Sequence, residues 1–406
     1  MVPVRQRFPD DAIEDLEGTI ARGVQRWADG HPEVLARLRP GAEVAIGVGS
    51  RGVSPLFQVV STLVGALRAL NLSPFVVPAM GSHGGGTAEG QREVLAGYGI
   101  DEARLGVPVR SSMETVVLGQ TEAGVPVHVD ANAARADGVV VIGRVKPHTG
   151  FRGPVESGLC KMLAVGLGKA NGARNIHAGG LAVTIPAAAR LATAKAPVLF
   201  GVALVENAYD RPCRVEIAEP ERFYDVDHAL LDVARERLPR VPLEAADLLI
   251  VEEMGKNVSG TGMDPNVIGM WRRFGGERTP NYERVAVLGL TKQSHGNATG
   301  LGLADFTTRR LVDAINWPES HLNALTALDP LICRVPMTLA NDQACVDTAL
   351  DVLRRSTGKV NPSIVRIKNT LELEHLWVSE NLRDQVDADV DGEPADLAFD
   401  GSGGLA

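Results

Sequence analysis

Short apolar segments alternate along the chain with glycine-rich turns and helix-forming stretches. Glu43–Val48 precedes a predicted helix from Ser54 to Leu70, and Pro74–Pro78 precedes a glycine-rich turn and a predicted helix from Thr87 to Tyr98. Strands that are linked through helices pair in parallel, with the helices on the faces of the sheet. The pattern therefore predicts an α/β fold.

The same alternation starts a second time in the C-terminal half. The proline-flanked stretch Leu238–Pro242 comes before a new apolar segment that begins at Ala245. We expect an N-terminal α/β domain over residues 1–242 and a C-terminal α/β domain over 243–383. Both sheets should be mainly parallel, with the active site in the cleft between the domains. In the second domain we predict a single helix from Thr307 to Ala324.

Charge and composition narrow the classes of function. The 406 residues include 41 Lys and Arg against 50 Asp and Glu, a net charge of −9, and no basic run suggests nucleic-acid binding. No apolar run is long enough to cross a bilayer, and the N-terminus lacks a signal-peptide core. The four cysteines form no CxxC pair. We expect a cytoplasmic protein without a membrane or nucleic-acid partner, and a flexible acidic tail over residues 384–406.

Two histidines lie in loops that could form part of a catalytic or binding site. His83 lies in a glycine-rich turn between a strand and a helix, where it is either a local hydrogen-bonding residue or an accessible catalytic group. The turn lacks the GxGxxG and GK[ST] patterns of nucleotide-binding loops. His148 follows the most apolar strand, Gly138–Gly143, in a loop that also contains Lys146 and Arg152. That loop is either a binding site for an anionic substrate or a buried turn.

A lysine and a third histidine follow in a segment predicted to be helical from Ser157 to Ala173. Lys161 begins an apolar run, which would lower the pKa of its amine and make it nucleophilic, unless the side chain reaches out to solvent. His177 follows sixteen residues later. A single histidine does not make an ordinary zinc site, which needs three or four protein ligands.

Two further loops carry cations beside exposed backbone. The turn Gly47–Ser54 contains Arg51 and precedes a helix, so that it suits a phosphate or a carboxylate. In the C-terminal half, Lys292 lies in a polar loop after an apolar strand. The loop that contains Lys292 could equally be a simple connection.

Taken in order, Arg51, His83, Pro147-His148, Lys161 and His177 resemble the nickel-pincer-nucleotide lactate racemase family. The resemblance implies that Lys161 attaches the cofactor, the nickel-pincer nucleotide, and that His177 is the protein ligand of nickel. It implies that His83 and His148 exchange the hydroxyl proton of a 2-hydroxy acid while hydride moves between C2 and the cofactor. The protein would then be a racemase or epimerase.

The same resemblance assigns the remaining residues. Arg51 would bind the substrate carboxylate, with Lys292 as a weaker candidate, and Gly47, Ser50 and Ser54 would contact the nucleotide. Partners would be a small-molecule 2-hydroxy acid and the enzymes of cofactor synthesis, and a homo-oligomer is left open. The segment between His148 and Lys161 differs from that of lactate racemases, which favours a larger or more polar 2-hydroxy acid than lactate.

Two other functions remain open from the sequence. One is a sugar-acid or nucleotide-binding protein without turnover, which has the same fold but no catalysis. The other is a conventional metal-dependent lyase or a nicotinamide-dependent dehydrogenase, against which the missing GxGxxG pattern argues.

Overall fold

The computed structural model describes residues 1–50 and 55–406. Arg51 and Ser54, both predicted site residues, lie outside the described residues. By its internal contacts the chain forms two compact units. The N-terminal unit is Pro9–Leu238, and the C-terminal unit combines Met1–Phe8 with Pro239–Ala406.

Strands and helices alternate along most of the chain. The strands are β1 Val2–Arg5, β2 Glu43–Val48, β3 Ser73–Pro78, β4 Thr115–Gln120, β5 Pro126–Asp130, β6 Gly138–Arg144, β7 Val198–Glu206, β8 Pro212–Ala218, β9 Ala245–Met254, β10 Asn281–Leu290, β11 Phe306–Thr308, β12 Met337–Leu339, β13 Ile364–Ile367, β14 His375–Val378 and β15 Asp389–Val390. The α-helices are α1 Leu16–Gly30, α2 Pro32–Arg37, α3 Leu56–Ala69, α4 Ala88–Gly97, α5 Glu102–Leu105, α6 Ala131–Arg135, α7 Leu159–Lys161, α8 Lys169–Ala178, α9 Leu181–Lys195, α10 Phe223–Arg237, α11 Pro265–Ile268, α12 Trp271–Phe274, α13 Arg309–Asp313, α14 Trp317–Thr326 and α15 Asp342–Thr357. None of these helices, within the described ranges, has the length and apolar character needed to span a bilayer.

The N-terminal unit is built on a sheet with the strand order β3-β2-β6-β7-β8. The first four strands run parallel, and β8 pairs antiparallel with β7. Successive residues of a strand point to opposite faces, so that Ile46 is buried in one apolar cluster and Ala45 in another. Both faces of the sheet are thus covered, which confirms the predicted α/β fold for this unit.

The C-terminal unit has a longer, mixed sheet with the order β12-β11-β10-β9-β13-β14-β1-β15. The strands from β12 to β13 are parallel, and the remaining pairs are antiparallel. The first strand of the chain belongs here, because β1 pairs with β14 and buries Val2 and Val4. The N-terminal residues therefore differ from the expected assignment to the first domain. Strands that pair across such a long stretch of sequence share no local pattern from which the pairing could be predicted.

The acidic tail makes specific contacts with the C-terminal unit. Strand β15 pairs with β1, and Phe399 and Leu405 pack on a buried apolar cluster. The N–H of Leu405 donates to a carboxylate oxygen of Asp342 at 2.9 Å, and Asn341 donates to the carbonyl of Ser402 at 2.9 Å. The tail expected to be flexible is therefore hydrogen-bonded along part of its length.

The single helix predicted over Thr307–Ala324 is wrong. That segment forms β11 and the two helices α13 and α14. The Thr308 side chain caps α13, and the Asn316 side chain caps α14. Pro318 lies in the first turn of α14, where a missing N–H is tolerated, whereas inside a longer helix it would remove a backbone hydrogen bond.

Candidate functional site

The loops that carry the predicted histidines leave the same edge of the N-terminal sheet. Because β3, β2 and β6 are parallel, their carboxyl ends lie together. Neighbouring strands are about 4.8 Å apart, so the ends of β3 and β6, with β2 between them, lie about 10 Å apart. Ser50, His83 and His148 follow β2, β3 and β6 respectively. This is the edge at which open α/β sheets bind their ligands.

The exposed His83 is held at both its ring and its backbone. Its Nδ1 forms a hydrogen bond with the hydroxyl of Ser50, whose carbonyl accepts a hydrogen bond from the Tyr98 hydroxyl at 2.9 Å. The buried Gln91 amide donates to the carbonyls of Gly81 at 2.8 Å and of His83 at 3.2 Å. The loop after β3 is therefore fixed by side chains from two other segments.

A buried lysine below this loop was not predicted as a site residue. The Lys169 ammonium is fully buried and donates to the carbonyl of Pro78 and, at 3.1 Å, to the side-chain oxygen of Gln91. It also lies 3.1 Å from Oδ2 of Asp130. Burial lowers the pKa of Lys169, and the Asp130 charge opposes that shift. The lysine thus supports the amide that holds the His83 loop.

Lys161 and His177 lie at the two ends of one helical segment. The predicted continuous helix is interrupted, because a π-helical turn, Met162–Gly166, separates α7 from α8. His177 lies in the last turn of α8. Burial lowers the pKa of His177, and the charge of Lys161 lowers it further, so the two groups are within electrostatic reach. A neutral imidazole is the form that binds a metal ion.

Two glycines let the sheet-edge loops pack on the π-helical turn. A methyl group on Gly166 would lie 2.7 Å from the carbonyl oxygen of Ala79, and the Gly81 N–H donates to the Gly166 carbonyl at 3.1 Å. A side chain on Gly49 would lie 3.5 Å from the methyl group of Met162. The loops after β2 and β3 therefore contact the turn that follows Lys161.

Gly47, predicted to contact the nucleotide, lies within β2. A methyl group there would be 3.2 Å from the Val141 side chain and 3.5 Å from that of Leu167. The absence of a side chain at this position therefore serves close packing between the sheet and the segment that follows the π-helical turn.

The loop that bears His148 is organised by a buried carboxylate. Glu156 accepts hydrogen bonds from the backbone N–H of His148 at 2.7 Å and from Arg235 at 2.9 Å. The Gly150 N–H donates to Nδ1 of His148 at 2.9 Å, and the ring packs against Phe151 with centroids 4.5 Å apart. Glu156 lies in the segment between His148 and Lys161, which differs from that of lactate racemases, and no local pattern indicates its role.

A second carboxylate, on α10, holds the start of the Lys161 helix. Asp227 accepts hydrogen bonds from the N–H groups of Leu159 at 2.9 Å and Cys160 at 2.8 Å. Burial raises the pKa of Asp227 to about 7, against the effect of these two donors. Burial and the Asp227 charge raise the pKa of the Cys160 thiol, which is therefore no nucleophile at neutral pH.

Lys292, the remaining predicted substrate-binding residue, lies in the C-terminal unit. Lys292 is exposed and begins a single 3₁₀ turn after β10. The following Ser294 accepts a hydrogen bond from the N–H of Lys256 at 2.9 Å. Within the described parts of both units, no three His, Cys, Asp or Glu side chains cluster as a metal site.

The comparisons with known proteins agree with this architecture. Residues 38–180 match the family model of the lactate racemase N-terminal domain. The lactate racemase apoprotein from Thermoanaerobacterium thermosaccharolyticum superposes with a TM-score of 0.51 at 11% sequence identity, covering 92% of this chain and 99% of that chain. None of the curated proteins matches the sequence.

The fold is that of lactate racemase, an α/β fold with mostly parallel strands. Over residues 38–180 the chain is similar in sequence to the lactate racemase N-terminal domain. The matched residues 38–180 include His83, His148, Lys161 and His177, whereas Lys292 lies outside them.

Proposed function

We propose that the protein is a 2-hydroxyacid racemase or epimerase that uses a nickel-pincer nucleotide. The observation that carries the proposal is the neighbourhood of Lys161. The lysine is within electrostatic reach of His177, and the turn that follows it packs against the loops of Ser50 and His83. His83, Lys161 and His177 belong to the ordered set on which the resemblance to the family rests, and all three lie within residues 38–180, which match the family model.

The chemistry of these residues fits the cofactor. Lys161 would attach the nucleotide covalently, and Gly47 and Ser50 would lie beside it, with Ser54 in the undescribed segment. His177 would be the protein ligand of nickel, since burial favours its neutral form. When bound, the cofactor would accept the hydride from C2 of the substrate and return it.

The histidines and the cations would act on the substrate itself. His83 and His148 would take up and return the proton of the 2-hydroxyl group, one on each side of the substrate. Ser50 would orient the His83 ring through their shared hydrogen bond. Arg51 and Lys292 remain predictions as carboxylate-binding groups.

The first test is the mass and nickel content of the protein co-expressed with the cofactor-synthesis enzymes. We expect a covalent mass increase and one nickel per chain in the wild type, and neither in Lys161→Ala. Lys195→Ala is the matched control, because Lys195 is an exposed lysine at the end of α9. His177→Ala should retain the mass increase and lose nickel. A wild type without adduct and without nickel would contradict the proposal.

The second test is loss of optical purity. The loaded enzyme should scramble C2 of at least one 2-hydroxy acid, with sugar acids and hydroxy diacids tested beside lactate. His83→Ala should reduce that rate by about 100-fold or more, the usual contribution of a general acid or base. Full loading without scrambling of any 2-hydroxy acid would favour a binding protein.

A further inference from the structure

Glu156 is a fully buried carboxylate within the His148 loop. It accepts hydrogen bonds from the N–H groups of His148 at 2.7 Å and Gly153 at 3.2 Å, and from Arg235 at 2.9 Å. Arg152 lies 3.4 Å from the same carboxylate and donates to the carbonyl of His148 at 2.9 Å. A buried carboxylate needs such partners, because an unpaired one is strongly disfavoured.

The turn that Glu156 holds places a backbone donor on the His148 ring. The N–H of Gly150 donates to Nδ1 at 2.9 Å. A ring nitrogen that accepts a hydrogen bond carries no proton, so the neutral ring must carry its proton on Nε2. The geometry of the loop therefore selects one of the two neutral tautomers.

The hydrogen bond between His83 and Ser50 does not by itself select a tautomer. Its Nδ1 contacts the hydroxyl of Ser50, and a hydroxyl can either donate or accept. Both neutral tautomers of His83 are therefore compatible with this one hydrogen bond, unlike the bond from Gly150 to His148.

We infer that Glu156 is a positioning residue that holds His148 as the Nε2–H tautomer. The inference rests on the proposed function in treating His148 as the group that faces the substrate hydroxyl. In this state Nε2 of His148 would donate a hydrogen bond to the substrate oxygen and could not at once accept the hydroxyl proton. His148 can accept that proton at Nε2 only after its own proton has moved to Nδ1, which breaks the bond from Gly150.

Helix α10 supports the same arrangement from outside the loop. It supplies Arg235 to Glu156, and His228 on the same helix bonds through Nδ1 to the carbonyl of Pro154 at 2.8 Å. Loss of Arg235 should therefore weaken the tautomer preference in part, with Glu156 still present. This gives a second, milder perturbation of the same contact.

The test is ¹⁵N NMR of histidine-labelled, ligand-free protein at a pH near 8, where an ordinary histidine with a pKa of about 6.5 is neutral. His148 is assigned by the signal lost in His148→Gln. We expect Nε2–H to exceed Nδ1–H by about tenfold relative to the urea-unfolded chain, the effect of one hydrogen bond of about 1.4 kcal/mol. A wild type without this excess would overturn the inference whatever the variants show.

The variants test the part played by Glu156. Glu156→Gln should remove the excess, Glu156→Asp should restore part of it, and Arg235→Gln should fall between wild type and Glu156→Gln. Arg222→Gln, beside the start of α10 and paired with Glu216, should leave it unchanged. If Glu156→Gln does not fold, Arg235→Gln decides the question. A folded Glu156→Gln or Arg235→Gln with the wild-type tautomer ratio would overturn the role of Glu156.

Activity of the loaded enzyme separates this inference from the proposed function. Glu156→Gln should lower kcat about tenfold with little change in KM, since the positioned ring matters more for the reaction than for binding. A loss confined to KM would overturn the positioning role. If the wild type racemises nothing, the proposed function fails, while the tautomer of His148 is still decided by the ligand-free measurement.

Discussion

Replacing Lys169 by Met removes the ammonium group that connects the His83 loop to the body of the sheet. The side chain is fully buried, so a methionine of similar length fills its space. What is lost is the ion pair with Asp130 and the hydrogen bonds to Pro78 and Gln91. The Oδ1 atom of Asp130 would keep its two bonds to the N–H groups at the start of α6.

The expected cost follows from the carboxylate that remains. Removing one partner of a buried ion pair destabilises a protein by about 3–5 kcal/mol, because the other charge is left uncompensated. This is a large share of a typical unfolding free energy of about 5–15 kcal/mol. The double variant with Asp130→Asn should recover most of the loss, since Asn keeps an oxygen for the helix cap and carries no charge.

Urea unfolding monitored by hydrogen exchange is the suitable assay, because peptides from the N-terminal unit can be followed separately. We expect Lys169→Met to lower the unfolding free energy of peptides around Pro78 and Gln91 by about 4 kcal/mol. A loss below about 1 kcal/mol, the usual size for an exposed pair, would refute the reasoning. A double variant no more stable than the single one would refute it as well.

The other predictions concern Asp227 and the glycine contact beneath the site. The pKa of Asp227 is raised to about 7 in the fold, so its contribution to stability is fully present below the ordinary value of 3.8 and is lost as pH rises to about 7. As pH rises over that range, the unfolding free energy of the wild type should therefore fall relative to that of Asp227→Asn by roughly 1 kcal/mol per pH unit. A difference that does not vary with pH would contradict the raised pKa of Asp227. Gly166→Ala should destabilise the protein by about 1–3 kcal/mol in urea unfolding, because the new methyl group meets the backbone of Ala79. Gly65 is an exposed residue in the middle of α3 with open space around it, so Gly65→Ala should instead stabilise the protein by about 0.5–1 kcal/mol. Equal effects of the two changes would rule out the close contact between Gly166 and Ala79.

Local patterns predicted the strands that carry the site. Segments such as Glu43–Val48 and Gly138–Gly143 are apolar, short and followed by glycine-rich loops, so both strands and the positions of His83 and His148 followed from the sequence. The order of the strands did not, because pairing joins residues far apart in the chain. The pairing of β1 with β14 is the clearest case.

Buried polar contacts were harder to predict than the residues they hold. The bond between Gln91 and Lys169, and the ion pair between Lys169 and Asp130, each join separate segments, and no spacing rule connects them. Asp227 did leave a local sign, because it lies among the buried residues of α10 next to Val226. A carboxylate on the apolar face of a helix indicates a buried partner, here the N–H groups of α7.

The contrast between Lys161 and Lys169 shows why side-chain burial in this segment could not be predicted from the sequence. In a continuous helix the two lysines would lie about 80° apart around the axis, on one side. The π-helical turn and the left-handed backbone at Lys169, with φ of 53°, interrupt that helix. As a result Lys169 is fully buried, whereas Lys161 is half-buried within electrostatic reach of His177. The interruption coincides with the contact between Gly166 and Ala79, so the difference in burial of the two lysines accompanies packing against the His83 loop and does not follow from apolar periodicity.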